Sequence, residues 1–411
     1  MILHHDMSLT CYTSVFKAIF RIMRGSSLRL LWIFFRNFLL RNVSNMRRFK
    51  RRLRKGKPFF PAFMMISVTE TCNLACSGCW VSRGGRKSLS KEQIDGIINQ
   101  SKSQGSYFFG ILGGEPLLYD GLIDILAAHR DCYFQVFTNA TLITPEIASA
   151  MARAGNITPL VSIEGLHDES DRRRGRTDVF DRTMRGVQAC RDAKLIFGAA
   201  ASICKSNFHE LVTRRHLEDL AGLGAAFMWY YIYRPVGADP HPENALDRNE
   251  VQELRRFIVE QRCNAPLFII DTYWGADGKA MCPGATGMSH HISPSGAVEF
   301  CPPLQMACEH LTTDAGNMVN VFNNSEFLDG LRKFTAQTSR GCVLLEDPKH
   351  LAEFLRTHDA VETTSRATFM KELEAMTPHA GHDMRDDAIP EKNPLYRWLQ
   401  KNYFFGFGAY G

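Results

Sequence analysis

Cys72, Cys76 and Cys79 fall within one short stretch, Cys72-Asn-Leu-Ala-Cys76-Ser-Gly-Cys79. Three thiolates on one tight loop can hold three corners of a cubane cluster and leave its fourth iron without a protein ligand. Soft thiolates suit iron–sulfur, Cu(I) or zinc. A structural zinc site takes four ligands, commonly as two pairs, and no fourth partner lies nearby in the sequence. On spacing alone iron–sulfur and zinc both stay open. A second constellation runs from Cys282 through Ser293-Pro-Ser-Gly296 to Cys301, with Cys308 and Cys342 beyond it. The chain has 12 cysteines in 411 residues, too few for a disulfide scaffold. Cys132, Cys190, Cys204 and Cys263 sit on apolar-periodic segments, where a thiol acts as a small buried hydrophobe. The clustered ones read as metal ligands in a reducing compartment.

A loop of ligands needs elements that hold it. Short apolar runs at 63–68, 107–112, 133–138, 159–163, 196–203 and 227–233 read as strands, with amphipathic helices between them. Ser90 with Gln93 forms a capping box, Thr144-Pro145 opens a helix that stops at Gly155, and Asp247 with Glu250 starts another. Strands separated by helices imply parallel pairing through crossovers and chemistry at the strands' C-terminal ends. The thiol loop directly follows the first strand. The segment around Ser293-Pro-Ser-Gly296 reads as a hairpin leading into Cys301. After residue 280 the pattern turns to loops, Gly, Pro and Cys, so a boundary is expected near 265–280.

The C-x-x-x-C-x-x-C loop after the first strand resembles that of the radical S-adenosylmethionine (radical SAM) superfamily. Further matches are Gly113-Gly114-Glu115-Pro116 after the second strand, Thr138-Asn139 after the third, Ser162-Ile-Glu164-Gly165 after the fourth, and Arg174-Gly175 beyond it. The resemblance covers about 63–240. It implies a [4Fe–4S] cluster held by Cys72, Cys76, Cys79 and SAM. It also implies SAM binding by Gly113, Gly114, Glu115, Pro116, Asn139, Ser162, Glu164 and Arg174. The chemistry implied is reductive cleavage of SAM and hydrogen abstraction from an unactivated C–H by the deoxyadenosyl radical. Glycines permit close backbone approach, carbonyls and a carboxylate suit an ammonium, and a guanidinium fits a carboxylate. One departure is Gly78, where the superfamily commonly has an aromatic residue; here the aromatic is Trp80. The Cys282–Cys301 segment resembles the start of a SPASM/Twitch auxiliary-cluster domain, and Cys342 its late cysteine. With Cys308 as the remaining candidate, and no tight C-x-x-C group, this implies one auxiliary [4Fe–4S] cluster; a zinc-stapled loop, or a cluster on only three of these ligands with an open iron, is the plainer reading.

The charge is lopsided. Residues 1–60 hold 14 Lys/Arg and one acid, Asp6, whereas the rest holds 35 Lys/Arg and 42 Asp/Glu. In residues 10–42 apolar and basic side chains interleave, and MRRFKRRLRKGK (46–57) follows. No charge-free run approaches the ~18–20 residues of a transmembrane helix. The expectation is one or two interfacial helices, apolar face toward the membrane and basic face toward anionic headgroups. No nucleic-acid motif accompanies the charge. The interrupted apolar stretch lacks a secretory cleavage site.

The expected architecture is α/β: a partial (β/α)6, TIM-like barrel with a small Cys-rich C-terminal domain and a basic amphipathic helical N-terminal extension. The expected bounds are 1–57 for the extension, 58–270 for the barrel, 271–360 for the iron–sulfur domain and 361–411 for an aromatic tail. The implied activity is that of a radical SAM enzyme, cytoplasmic and peripheral on the inner face of the membrane, served by a reductant such as flavodoxin or ferredoxin. No residue is assigned as catalytic. A lipid or isoprenoid substrate is the leading expectation because of the extension. A ribosomally made peptide is the alternative because of the SPASM resemblance. Outside catalysis stands a metal-stapled, membrane-bound interaction protein.

Overall fold

The computed structural model describes residues 2–56, 59–384 and 386–402. Three helices open the chain: α1 (Ile2–Gly25), α2 (Leu28–Ile33), a π-helical stretch at Phe34–Leu40, and α3 (Arg41–Arg54). Strands and helices then alternate: β1 (Phe63–Ser67), α4 (Lys91–Gln104), β2 (Phe108–Leu112), α5 (Leu122–Ala128), β3 (Tyr133–Thr138), α6 (Pro145–Ala154) and β4 (Ile157–Ser162). After them come α7 (His167–Arg174), α8 (Val179–Asp192), β5 (Gly198–Ile203), α9 (Lys205–Leu211), α10 (Arg214–Leu223), β6 (Phe227–Ile232), α11 (Arg248–Gln261) and β7 (Phe268–Ile270). The six expected apolar runs form β1–β6, all paired in parallel. Helix ends follow the sequence chemistry: both capping boxes form, and α6 starts at a Thr144 cap and stops at a left-handed Gly155.

The sheet is larger than the six expected strands. β7 adds to β6, and on the other side β8 (Ser289–Ile292) pairs in parallel with β1. β9 (Val298–Glu299) returns antiparallel to β8 through the Ser293–Gly296 turn, with Gly296 at φ 81°. The order is β7-β6-β5-β4-β3-β2-β1-β8-β9, a mixed sheet resembling a partial barrel. The Cys282–Cys301 segment therefore extends the barrel's own sheet, and no break in pairing marks the boundary expected near 265–280. The chain after 360 also returns to the body. Ser365 donates to Glu70, and Arg366 donates to the Trp80 carbonyl (2.7 Å). Glu391 pairs with the buried Arg262 (2.7 Å). Residues 403–411 of the expected tail lie outside the described residues.

The N-terminal helices cover the barrel floor, the N-terminal ends of the strands. Met46 and Phe49 are buried with Phe63, Phe108 and Tyr133, and Phe34 and Phe38 pack on this cluster. Asn45 donates to the Ala62 carbonyl, and Asn37 to those of Arg130 and Cys132. Cys263, expected as a simple buried hydrophobe, forms a disulfide with Cys11 of α1. The expected orientation of the arginines is partly reversed. Arg21 donates to the carbonyls of Ala221, Ala225 and Pro266, Arg29 to those of Ala152 and Arg153, and Arg48 to that of Gln104. Ala221, Ala152, Arg153 and Gln104 lie in the last turns of α10, α6 and α4. Those turns carry unsatisfied carbonyls and the negative end of the helix dipole, which draw in guanidinium groups. Phe16, Phe20, Met23, Leu28 and Trp32 are left exposed. No helix among the described residues is long and apolar enough to cross a membrane.

Candidate functional site

The thiol loop is fastened by the segments that follow later strands. After β2, Gly114 N–H donates to Thr69 O (2.8 Å) and Glu115 N–H to Thr71 O (2.9 Å). A Cβ on Gly113 or Gly114 would overlap the Thr69–Thr71 backbone. In this structure these glycines allow one chain segment to press against another, just before Cys72. After β3, Asn139 Nδ2 donates to Asn73 Oδ1 (2.9 Å). At the end of α7, Arg173 O and Arg174 O accept from Ser77 N–H (2.9 Å) and Ala75 N–H (3.4 Å). After β6, Asp239 O accepts from Gly78 N–H (2.7 Å).

The residues matched from the superfamily divide by environment. Glu115 is buried, and its carboxylate accepts from Asn139 N–H, Thr138 Oγ1 and Leu117 N–H at 2.8–3.1 Å. Burial raises its pKa against these stabilising bonds. These three donors fix the carboxylate against the β3 end and the turn after β2. Pro116 opens a 3-10 turn that Glu115 caps. Arg174, one of three consecutive arginines, is buried rather than solvated. It reaches Cys76 Sγ (3.6 Å) and Ser162 O (2.8 Å). Burial pulls its pKa down, but Cys76 and Glu164 more than offset that and hold it above its ordinary value. Glu164 pairs with Arg173 (2.9 Å) and accepts from Ser202 N–H.

Around the second constellation, Cys282, Cys301 and Cys342 lie half-buried about Arg234, whose Nε donates to Cys342 Sγ (3.2 Å). Burial raises Cys282 to about 11 and Cys301 further. In the first loop Cys72 lies at the surface, yet desolvation by the surrounding chain raises it to about 11, and desolvation with the Cys76 charge raises Cys79. Such thiols keep their protons near neutral pH, so ligation must displace them. Cys308 does not join the set. Its Sγ contacts His358 O (3.3 Å), and the charges near it are Glu309 and Asp359 rather than Arg234 or the other thiols. Cys308 follows directly on a two-residue strand, Met306–Ala307, that pairs antiparallel with Val361–Glu362.

A cavity of about 320 Å³ lies between the end of the first loop and the second set of thiols. Gly78 and Trp80 line it from the first loop, Cys282, Cys301 and Cys342 from the second, and Ser162 and Glu164 from beyond β4. Among the described residues no three His, Cys, Asp or Glu side chains converge closely enough for one metal ion. The donor chemistry fits an iron–sulfur group: soft thiols in threes, each set with a buried guanidinium beside it. Sequence reasoning missed Asn73, Arg173 and Arg234. Arg234 had a signal, since it directly follows β6 where barrel chemistry gathers. A buried chain, Ser67–His291–Glu299 (2.7 and 2.5 Å), ties β1, β8 and β9 together.

Residues 66–207 match the radical SAM superfamily. The mycofactocin maturase MftC of Mycobacterium tuberculosis is 31% identical over 301 residues, 66% of this chain and 73% of that protein. The chain belongs to the radical SAM superfamily and is built as an enzyme of that class. An AdoMet-dependent heme synthase of Methanosarcina barkeri is 30% identical over 211 residues, 49% of this chain and 59% of its own length. The chain thus spans only about half to three fifths of the first curated relatives it matches. The fold is shared with SuiB of Streptococcus suis, a protein solved bound to S-adenosylmethionine and to its precursor peptide SuiA. Its TM-score is 0.59 at 18% identity, covering 71% of this chain and 72% of that one.

Proposed function

We propose that this enzyme is a maturase that modifies a ribosomally made peptide by hydrogen abstraction in the cavity between its two thiol sets. The observation that carries this reading is that one cavity touches Gly78 and Trp80 on one side and Cys282, Cys301 and Cys342 on the other. The names of its relatives support the substrate class, since MftC is a maturase and SkfB a maturation protein. A lipid substrate loses its main argument, because the extension that suggested it covers the floor, opposite the thiol loops.

Cys72, Cys76 and Cys79 would hold the SAM-binding [4Fe–4S] cluster, and Cys282, Cys301 and Cys342 an auxiliary cluster. When bound, the first supplies the electron that cleaves SAM for hydrogen abstraction. Arg174 holds a positive charge against Cys76 and fixes the β4 end through Ser162 O. Glu115 and Asn139 act by position, locking the β2 and β3 ends to the loop, while Ser162 and Glu164 face the cavity. A chamber lined mostly by apolar side chains helps to orient the target of a radical and to shield it. A ferredoxin or flavodoxin is the proposed reductant.

The test is anaerobic reduction of reconstituted enzyme with SAM and, separately, the host's peptide fraction, its lipid extract and Fe-coproporphyrin III. Deoxyadenosine formation should rise with the peptide fraction, together with a shifted peptide mass. A rise confined to the lipid or the porphyrin would reject the peptide reading.

A further inference from the structure

The first helix is apolar on both of its sides. Cys11, Ser14, Val15 and Ala18 of α1 are buried against the body. There Ser14 donates to the Ala265 carbonyl, and Cys11 is bonded to Cys263. At about 100° per residue the opposite side carries Tyr12, Phe16, Ile19, Phe20 and Met23. All five are exposed, Phe16 by 68% and Phe20 by 60%. Leu28 and Trp32 of α2 and Phe35 of the π-helical stretch repeat the pattern, at 80%, 59% and 43%. The two stripes are continuous. Ile19, Met23 and Phe35 border one opening on the floor, and the Trp32 and Phe35 rings lie 6.0 Å apart. Exposed apolar residues scattered singly are ordinary, but a contiguous stripe of large ones marks a surface that something covers.

The charge around the stripe selects what covers it. Lys17 and Arg24 flank it on α1 and Arg36 on the π-helical stretch; all three are exposed, and residues 11–56 contain no acid. Arg24 lies over the Phe20 ring, 5.6 Å from its centre, so cation and apolar surface are presented together. In a two-fold contact between copies of the chain each copy offers the other the same patch, and these cations would meet cations. Lys and Arg around exposed rings, with no acid among them, are complementary to an anionic bilayer. The rings enter the acyl boundary, and the long basic side chains reach back to the headgroups.

We propose that the enzyme docks on an anionic bilayer through this stripe, with α1 and α2 lying in the interface and the barrel floor toward the lipid. The thiol loops follow the strands' C-terminal ends, so the cavity beside them lies at the end of the barrel away from the bilayer. The docking face stands apart from that cavity, so the peptide reading can fail without it and the reverse.

The test uses anaerobically purified full-length protein with vesicles of phosphatidylglycerol or of phosphatidylcholine. The protein should pellet with the first, far less with the second, and less with the first at high salt. Phe16→Ser with Phe20→Ser should abolish pelleting while the melting temperature holds, since both rings are exposed. Replacing Lys17, Arg24 and Arg36 together by Gln should weaken binding roughly a hundredfold, about fivefold for each cation. Phosphatidylglycerol brominated along its acyl chains should quench tryptophan fluorescence, and Trp32→Phe should remove a large part of that quenching. Equal binding to both lipids, binding to neither, or quenching unaltered in a folded Trp32→Phe variant would each overturn the proposal. So would a lipid-free dimer that Phe16→Ser with Phe20→Ser turns into a monomer, which would make a second copy the cover of the stripe.

Discussion

The Tyr233 ring occupies the space that a side chain on Gly78 would need. A Cβ built on Gly78 overlaps the Tyr233 hydroxyl and ring, and Gly78 has φ +67°. Tyr233 is held there by its bond to Pro240 O (2.5 Å) and by Arg173 over its face, 5.3 Å from the ring centre. Gly78 replaces the aromatic residue common before the last cysteine of such loops. In this chain an aromatic ring reaches the same place from beyond β6.

Gly78→Phe should therefore unsettle the loop. The variant is expected to lose about 1–3 kcal/mol of stability from overpacking and left-handed strain and to load less iron. Adding Tyr233→Gly should recover part of the iron, read by colorimetric assay beside a thermal melt. Normal iron content in the single variant would show that the ring moves aside freely.

Replacing Cys72, Cys76 and Cys79 together by Ala should abolish deoxyadenosine formation and leave about half of the iron, one cubane of two. Cys282→Ala or Cys301→Ala should deplete the other half. Cys308→Ala should leave iron unchanged, because that thiol stands apart from the others. Iron loss in the Cys308 variant would put it back among the ligands.

Arg234→Gln removes a buried cation that donates to Cys342. Without it, adding an electron beside Cys282, Cys301 and Cys342 becomes harder. The reduction potential of that centre should fall, while iron bound at the first loop persists. Potentiometric EPR on the triple Cys72/Cys76/Cys79 variant isolates the signal, and an unchanged midpoint would deny Arg234 this influence.

His216 on α10 is buried, and burial lowers its pKa from 6.5 to about 4. Between those values the unfolded chain binds a proton that the folded chain refuses. Stability should rise with pH across that window and drop as pH falls through it. The slope is at most about 1.4 kcal/mol per pH unit. His216→Leu should flatten the melting temperature's pH dependence between pH 4 and 6.5; an identical slope would assign that dependence to other groups.

Deleting residues 1–58 should expose Phe63, Phe108 and Tyr133, which Met46 and Phe49 now cover. Each large apolar side chain uncovered costs roughly 1.5–3 kcal/mol. The shortened chain should aggregate or melt far lower than the full one. A soluble, equally stable product would show that the floor is self-sufficient.

Much of the barrel was legible because its strands are apolar runs bounded by turn chemistry, and because the ligand motif directly follows the first of them. The β1–β8 ladder was not. Ser289-His-His-Ile has no strand-like run of apolar residues, and its partner lies over 200 positions away. Helical periodicity in residues 10–42 revealed two opposed faces but not which one meets protein. The choice was made by free carbonyls at the ends of α4, α6 and α10, which no local pattern announces. Cys308 was only the remaining candidate in sequence, and its neighbours in space, His358 and Asp359, come from a segment that no local pattern brings to it.

The β1–β8 pairing also bears on timing. The first thiol loop hangs from β1, and the hairpin from β8 leads to Cys301, so both are suspended from adjacent rungs of one ladder. The backbone hydrogen bonds between these strands limit how far the two can drift apart. Electron tunnelling between centres held there would run over a path that this ladder constrains.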